Sequence, residues 1–172
     1  MSIIWRKQMS VGNMYIDDQH RYLLCLMNTI ELALRDSANK DILKDSIEQL
    51  IEYTKYHFDY EERLQAKIKL PKMMEHKMEH QKIMADIDSI KIQLDALMGS
   101  EEIFDEAVED VAGKEISDNE LNALLENDLG SGSNELDLIQ LTALVRHWVF
   151  DHVLGEDLKM KPYLSRLPKN FN

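Results

Sequence analysis

Cysteine is almost missing from this chain of 172 residues, which contains only Cys25. A single thiol excludes an internal disulfide and any zinc site built from several cysteines. Because free cysteine is among the residue types most often buried, we expect Cys25 to be a small apolar side chain of the core. The sequence therefore points away from a disulfide-stabilised scaffold.

Turn-forming residues and long apolar runs are scarce as well. Six glycines and three prolines favour long, uninterrupted helices over a fold with many β-turns. Apolar runs such as "YLLCLM" at 22–27 are much shorter than the roughly 20 residues of a membrane-spanning helix. The N-terminus, "MSIIWRKQMS", contains no apolar stretch of the length found in secretory signals. We therefore expect a cytoplasmic protein with no membrane partner.

Positive charge is in short supply, since 20 Lys and Arg residues face 32 Asp and Glu residues and the formal net charge is −12. The excess is concentrated in residues 99–135, which contain twelve acidic residues and only one basic residue, Lys114. Nucleic-acid binding needs a basic surface, so we expect no nucleic-acid partner.

Apolar residues recur at intervals of three and four in four parts of the chain, the pattern of amphipathic helices. These parts run over about 17–35, 40–70, 72–98 and 134–158. Pro71 separates the second part from the third, and Gly99 follows the third. We predict an all-α fold, an up-down-up-down antiparallel four-helix bundle forming a single domain over residues 1–172.

Five of the six histidines, together with two carboxylates, fall at one end of such a bundle. They are His20 in the first helix, His57 and Glu61 in the second, His76 and His80 in the third, and His152 and Asp157 in the fourth. Imidazoles and carboxylates without sulfur suit iron better than metals that prefer soft ligands. Seven donors are too many for one ion. They predict two ions, three histidines on one and two on the other, with both carboxylates bridging.

Spacing excludes two other metal-binding patterns. A ferritin-like di-iron site needs Glu-x-x-His on two helices, and no histidine here has a glutamate three residues before it. A zinc protease needs His-Glu-x-x-His, but Lys77 follows His76 in "HKMEH". The sixth histidine, His147, lies well round the helix from His152, and we expect it outside the site.

The chain resembles the bacteriohemerythrins. The resemblance is carried by Trp5 and by the segments "SVGNMYIDDQH" (10–20), "HFDYEE" (57–62), "HKMEH" (76–80) and "HWVFDHVLGED" (147–157). It covers residues 1 to about 98 and 134 to about 163. It implies two iron ions (Fe²⁺/Fe³⁺) joined by an oxo or hydroxo bridge, with dioxygen bound at the open position of one of them.

The resemblance also implies which donors hold which ion. The three-histidine iron would take His76, His80 and His152. The two-histidine iron, where dioxygen binds, would take His20 and His57. Glu61 and Asp157 would bridge the two ions.

A dry, apolar wall is needed for dioxygen to enter while water is kept out. Candidate wall residues lie next to a predicted ligand or one turn away from it: Leu23, Leu24, Phe58, Trp148 and Val153. The alternative is that these residues are simply core. Asp17 and Gln19 are expected to cap a helix or to support the ligands.

The acidic insertion, residues 99–133, is longer than the usual connection in the family. Within it, "EISDNELNALLEND" (115–128) contains a capping box, Ser117 with Glu120, and predicts a short helix over 117–127. Its apolar stripe consists of Ile116, Leu121, Leu124 and Leu125. The stretch resembles the N-terminal peptide of the flagellar motor switch protein, which implies a chemotaxis response regulator as partner. The alternative is a loop helix that packs on its own bundle.

Three functions are compatible with these observations. The leading hypothesis is a non-enzymatic di-iron protein that binds dioxygen reversibly, for sensing, storage or delivery. The second is a signalling module in which the di-iron centre is a redox or oxygen switch and the insertion is the output. The third is an enzyme acting on peroxide or nitric oxide, with Tyr15, Tyr22 and Tyr56 as candidate proton donors. The apolar surroundings predicted for the centre favour binding over turnover.

Overall fold

A computed structural model describes residues 3–33, 40–98 and 146–171 of the chain, and all the regular structure within these ranges is helical. A short 3-10 turn, Lys7–Met9, precedes α1, Met14–Ala33. α2 spans Lys40–Ile68 and α3 spans Met73–Met98. The last helical stretch, residues 146–164, is called α4 below. The predicted all-α four-helix bundle is confirmed.

Local backbone features explain where α1 begins and where α2 ends. α1 begins at Met14, earlier than predicted, because the side-chain oxygen of Asn13 accepts hydrogen bonds from the backbone N–H groups of Tyr15 (3.0 Å) and Ile16 (3.1 Å). At the end of α2, Lys69 adopts a left-handed conformation (φ 50°) that stops the helix. Pro71 lies in the turn between α2 and α3.

α4 changes its helical type along its length. After an α-helical start at 146–148, Val149–Glu156 is π-helical, Asp157–Met160 is 3-10 and Lys161–Leu164 is α-helical. The backbone N–H of Asp157 donates to the carbonyl oxygen of His152, five residues earlier. In a regular α-helix, residues five apart point about 140° away from each other. The wider π turn instead brings His152 and Asp157 towards one side of α4.

Two apolar clusters pack at different heights in the bundle. The larger one includes Leu23 of α1 and Phe58 of α2, and the smaller one includes Ile16 and Leu64 of the same two helices. His20 therefore lies between the two clusters along α1, and Glu61 lies between them along α2. The candidate metal-binding layer is thus placed between two apolar layers.

The C-terminal residues close the end of the bundle that contains the smaller cluster. The backbone N–H of Met14 donates to the carbonyl oxygen of Lys169 at 2.7 Å, and the side-chain amide of Asn13 donates to the carbonyl oxygen of Phe171 at 2.7 Å. Leu164, which is 1% exposed, packs into the smaller cluster. The segment after α4 is therefore tied to the start of α1.

Cys25 lies on the outer face of α1 and its side chain is exposed, whereas Leu24 and Leu26 on either side face the core. The prediction that Cys25 is buried is therefore wrong. No helix among the described residues is both long and apolar enough to cross a membrane. The predicted short helix and its stripe of Ile116, Leu121, Leu124 and Leu125 lie outside the described residues.

Asp17 fixes the segment before α1, and its replacement by alanine tests that role. Its carboxylate accepts hydrogen bonds from the hydroxyl of Ser10 (2.5 Å) and from the backbone N–H of Val11 (2.9 Å). Because the variant leaves the buried Val11 N–H without a partner, we expect Asp17→Ala to lower the free energy of unfolding by about 1–3 kcal/mol. Urea denaturation of the metal-free protein measures this change.

The matched control is Asp18→Ala, one residue further along the same helix. The side chain of Asp18 is 61% exposed, and among the described residues its ion pair is with Arg21. Its removal should change the free energy of unfolding by less than about 0.5 kcal/mol. Equal losses in the two variants would contradict the role assigned to Asp17.

Candidate metal centre

All seven predicted donors converge at one place in the bundle, and all four helices contribute. None of the seven side chains is more than 7% exposed. Their donor atoms form two groups, within each of which the atoms lie no more than 4.8 Å apart. One group contains His20, His57, Glu61 and Asp157, and the other contains Glu61, His76, His80, His152 and Asp157. The two carboxylates are therefore common to both groups.

Asp157 lies between the two sets of histidines, with one carboxylate oxygen turned to each. Its Oδ2 is 3.1 Å from Nε2 of His20 and 3.8 Å from Nε2 of His57. Its Oδ1 is 3.3 Å from Nε2 of His76 and 3.2 Å from Nε2 of His152. This is the arrangement expected of a carboxylate that bridges two cations.

Glu61 uses mainly one oxygen in its contacts with the histidines. Its Oε2 is 3.4 Å from Nε2 of both His76 and His80, and 3.9 Å from Nε2 of His57. Nε2 of His80 also lies 2.9 Å from Nε2 of His152. Imidazole nitrogens and carboxylate oxygens thus point at one another across the layer.

The hydrogen bonding of these atoms fits a site for cations. Within the part of the chain that the structure describes, neither oxygen of Glu61 or Asp157 makes a hydrogen bond, and the same is true of Nε2 of His20, His57 and His76. Buried polar atoms are normally satisfied, and a buried charge without a partner is costly. A metal ion in each of the two groups would satisfy these atoms, so the residues present fit a pair of ions.

The buried imidazoles are held in the form that binds metal. Burial lowers the pKa of His57 to about 4 and the pKa values of His80 and His152 to about 3. These three side chains are therefore neutral near pH 7, and a neutral imidazole is the metal-binding form. Metal ions at this site need not displace protons from them.

The surroundings shift the pKa values of the two carboxylates in opposite directions. Burial and then the charge of Asp157 raise the pKa of Glu61 to about 8. Burial alone would also raise the pKa of Asp157, but the neighbouring histidines outweigh it and bring that pKa well below its usual range. Burial opposes the protonation of His76, yet its contacts with Asp157 and Glu61 raise its pKa to about 10. In the metal-free centre, Glu61 and His76 are therefore largely protonated near pH 7, at the place where cations would bind.

Two side chains next to the donors orient the imidazoles. Nδ1 of His57 lies 2.9 Å from Oε1 of Gln19, and Nδ1 of His80 lies 3.2 Å from Oε1 of Glu62. The ammonium of Lys77 lies 2.5 Å from the other oxygen of Glu62. Such partners fix the ring orientation and the protonated nitrogen, leaving Nε2 for a metal. Asp17 and Gln19 were both expected to cap a helix or to support the ligands. Gln19 contacts His57, whereas Asp17 holds the segment before α1.

The five predicted wall residues all lie in the larger apolar cluster: Leu23, Leu24, Phe58, Trp148 and Val153. Phe58 has the closest contact with the centre, since its ring stacks on that of His80 with centroids 3.8 Å apart. It also meets His152 at 5.1 Å and Trp148 at 5.8 Å, edge to face in both cases. Phe58 therefore separates the donor layer from the apolar cluster beyond it.

Two contacts of the centre were missed by sequence reasoning. Trp5, which precedes α1, lies 6.2 Å from the ring of His20, and the guanidinium of Arg21 lies 4.9 Å above the same indole. The sequence segment "HFDYEE" contains Glu62, but its contact with His80 was not predicted. The acidic residue directly after Glu61 was the available signal for it. Trp5 belonged to the resemblance, but its position next to His20 was not predicted.

Other polar residues near the centre in sequence are turned away from it. His147 is 47% exposed and pairs with Asp151 at 2.9 Å, in agreement with its expected peripheral place. Tyr15, Tyr22 and Tyr56 are 40%, 41% and 51% exposed. The Tyr22 hydroxyl donates to Gln49. These tyrosines therefore lie on the protein surface.

A helical bundle whose four helices each supply buried donors to two linked histidine–carboxylate groups defines a helical-bundle metal protein. The family model described as the hemerythrin HHE cation binding domain matches residues 12–164. The chain belongs to the hemerythrin family.

Individual relatives agree with this assignment. The bacteriohemerythrin of Stenotrophomonas maltophilia (strain R551-3) is 21% identical over 155 residues, which cover 90% of this chain and 76% of that protein. The bacteriohemerythrin of Clostridium acetobutylicum is 30% identical over 93 residues, which cover 52% of this chain and 72% of that protein. The hemerythrin-like protein of Naegleria gruberi is 32% identical over 92 residues, which cover 54% of this chain and 71% of that protein.

Replacement of Asp157 tests whether one carboxylate serves both groups of donors. Asp157→Ala removes a donor from both groups, so we expect protein loaded with ferrous iron without air to retain at most half of the metal bound by the unchanged chain. Asp151→Ala, also in α4, removes a carboxylate that is 66% exposed and should leave the metal content unchanged. Metal analysis after gel filtration measures both. Full metal content in Asp157→Ala would contradict the bridging arrangement.

Replacement of Glu62 tests the support of His80 without removing a donor. We expect Glu62→Ala to weaken metal binding by about 10–100-fold while the number of ions bound at saturation stays the same. Glu75→Ala is the control, since Glu75 is 67% exposed and forms its ion pair, within the described ranges, with Lys72. Competition with a chelator measures the affinity. Equal affinities of the two variants would show that Glu62 does not support the centre.

Proposed function

We propose that this protein binds dioxygen reversibly at a centre of two iron ions, and that it acts by binding and not by turnover. The observation that carries the proposal is the unequal number of donors in the two groups. One group offers three histidines and two shared carboxylates, and the other offers two histidines and the same carboxylates. One ion therefore has a protein donor fewer, and its open position can accept a small ligand.

The assignment of donors follows from the two groups. His76, His80 and His152 would hold one ion and His20 and His57 the other, with Glu61 and Asp157 shared. An imidazole and carboxylate set without sulfur favours iron over metals that prefer soft ligands. Two iron ions, when bound with an oxo or hydroxo bridge, would supply the electrons that reversible dioxygen binding requires.

The surroundings of the donors support binding over catalysis. Phe58, 3% exposed, covers His80 and contacts the ring of His57 with centroids 5.7 Å apart, so it keeps water from this side of the layer. The tyrosines considered as proton donors lie on the surface. Because none of these three tyrosines faces the donors, none is placed to deliver a proton there, which favours release of dioxygen unchanged over its reduction to products.

The direct test is a cycle of oxygenation. Protein loaded with ferrous iron without air should develop a visible charge-transfer band when air is admitted, and the band should disappear when dioxygen is removed under vacuum. Repeated cycles measure reversibility. An irreversible change to the ferric state in the first cycle, with peroxide or water as product, would contradict reversible binding and would favour turnover.

Opening the apolar wall should shorten the life of the oxygenated form. Phe58→Ala removes the ring that covers His80, so we expect water to enter and autoxidation to become several-fold faster. Leu43→Ala is the control: it also creates a cavity in α2, at a 1% exposed position near the other end of that helix. The decay of the visible band measures both rates. Equal acceleration in the two variants would mean that lost stability, and not the wall, sets the rate.

A further inference from the structure

A cavity of about 330 Å³ lies between α2, α3 and α4, beside the donor layer. It shares Trp148 and the donor His152 with the wall and the centre described above, whereas the other four predicted wall residues are not part of its lining: Phe58, Leu23, Leu24 and Val153. Its volume falls within the range of small-molecule sites in proteins, about 300–1,000 Å³. The function proposed above does not need a molecule bound in this cavity.

Apart from His152, which is also a donor of the metal centre, the buried part of the lining is apolar. Its α3 wall is one face of the helix, since Ile83 and Ile87 are four residues apart. The buried apolar residues of the other walls are Ile47, Leu50 and Ile51 of α2 and Trp148 of α4. The floor can therefore cover a hydrocarbon chain or an aromatic ring.

The exposed part of the lining is acidic. It contains four carboxylates against one lysine and one histidine: Glu79, Asp86, Asp151, Glu156, Lys82 and His147. Asp151 pairs with His147 and Glu156 with Lys159. Within the described ranges, Glu79 and Asp86 form neither an ion pair nor a hydrogen bond. Among the described residues, the mouth of the cavity thus carries more negative than positive charge, and Glu79 and Asp86 stand outside any ion pair.

We propose that this cavity binds an amphiphilic organic cation, a molecule with an apolar body and an ammonium group. The apolar body occupies the floor formed by α2, α3 and α4, and the ammonium group lies at the mouth near Glu79 and Asp86. An anionic amphiphile of the same shape would meet like charge at the mouth. A neutral one would gain the apolar contacts alone.

Three probes with the same eight-carbon alkyl chain and different head groups separate the apolar from the electrostatic contribution to binding. They are octylammonium, octanol and octanoate, each titrated by calorimetry into the iron-loaded protein. We expect octylammonium to bind most tightly and octanoate to bind at least about tenfold more weakly. Added salt should weaken the binding of octylammonium and leave that of octanol unchanged, because only the ammonium group gains from the charge at the mouth. Equal affinities of octylammonium and octanoate would overturn the proposal.

Paired variants of α3 place the binding in the cavity. Ile83→Trp fills the space and should abolish the binding of octylammonium and octanol. Ile92→Trp introduces the same side chain on the same helix at a position that is 71% exposed, and it should bind both probes normally. Glu79→Gln should weaken octylammonium alone. If octylammonium binds Ile83→Trp normally, it binds elsewhere, for example at the iron, and the proposal fails.

Discussion

The contact between Asp157 and two separate sets of histidines is the constraint on which the rest of the structure depends. One oxygen faces His20 and His57, and the other faces His76 and His152. Each of the four helices must bring its donors to the same height for this to happen. The π-helical stretch of α4 is the local adjustment that allows His152 and Asp157 to meet there. The relative positions of the four helices are therefore set by the need to bring all seven donors together around Asp157.

Burial of the Glu61 and Asp157 carboxylates is unfavourable by itself, and this explains why positive charge is expected between them. Two fully buried carboxylates without hydrogen bonds are unfavourable unless positive charge lies between them. In the metal-free chain, protons partly fill that role, since the pKa of Glu61 rises to about 8 and that of His76 to about 10. Metal ions fill it better because they also satisfy the neutral histidines. The apolar clusters on both sides keep water out. Exclusion of water strengthens the binding of ions, and it also means that water cannot satisfy the buried carboxylates in their place.

Much of the fold and the candidate site could be predicted because both depend on periodicity. Heptad-like spacing of apolar residues marked the helices, and pairs such as His57 with Glu61, four residues apart, share a helical face in any α-helix. The spacing of His152 and Asp157 is different. A regular α-helix would separate them, and no residue pattern in "VFDHVLGE" predicts a π turn. Cys25 was misplaced because an average preference for burial was applied to a residue on the outer face of α1. The contact of Trp5 with His20 depends on the path of the segment before α1, which periodicity does not describe.

Anomalous X-ray diffraction at the iron absorption edge, from crystals of the iron-loaded protein, tests the shared-carboxylate arrangement most directly. Two iron peaks should appear with Asp157 between them, one next to His20 and His57 and the other next to His76, His80 and His152. A single peak, or two peaks that do not share Asp157 and Glu61, would contradict the account.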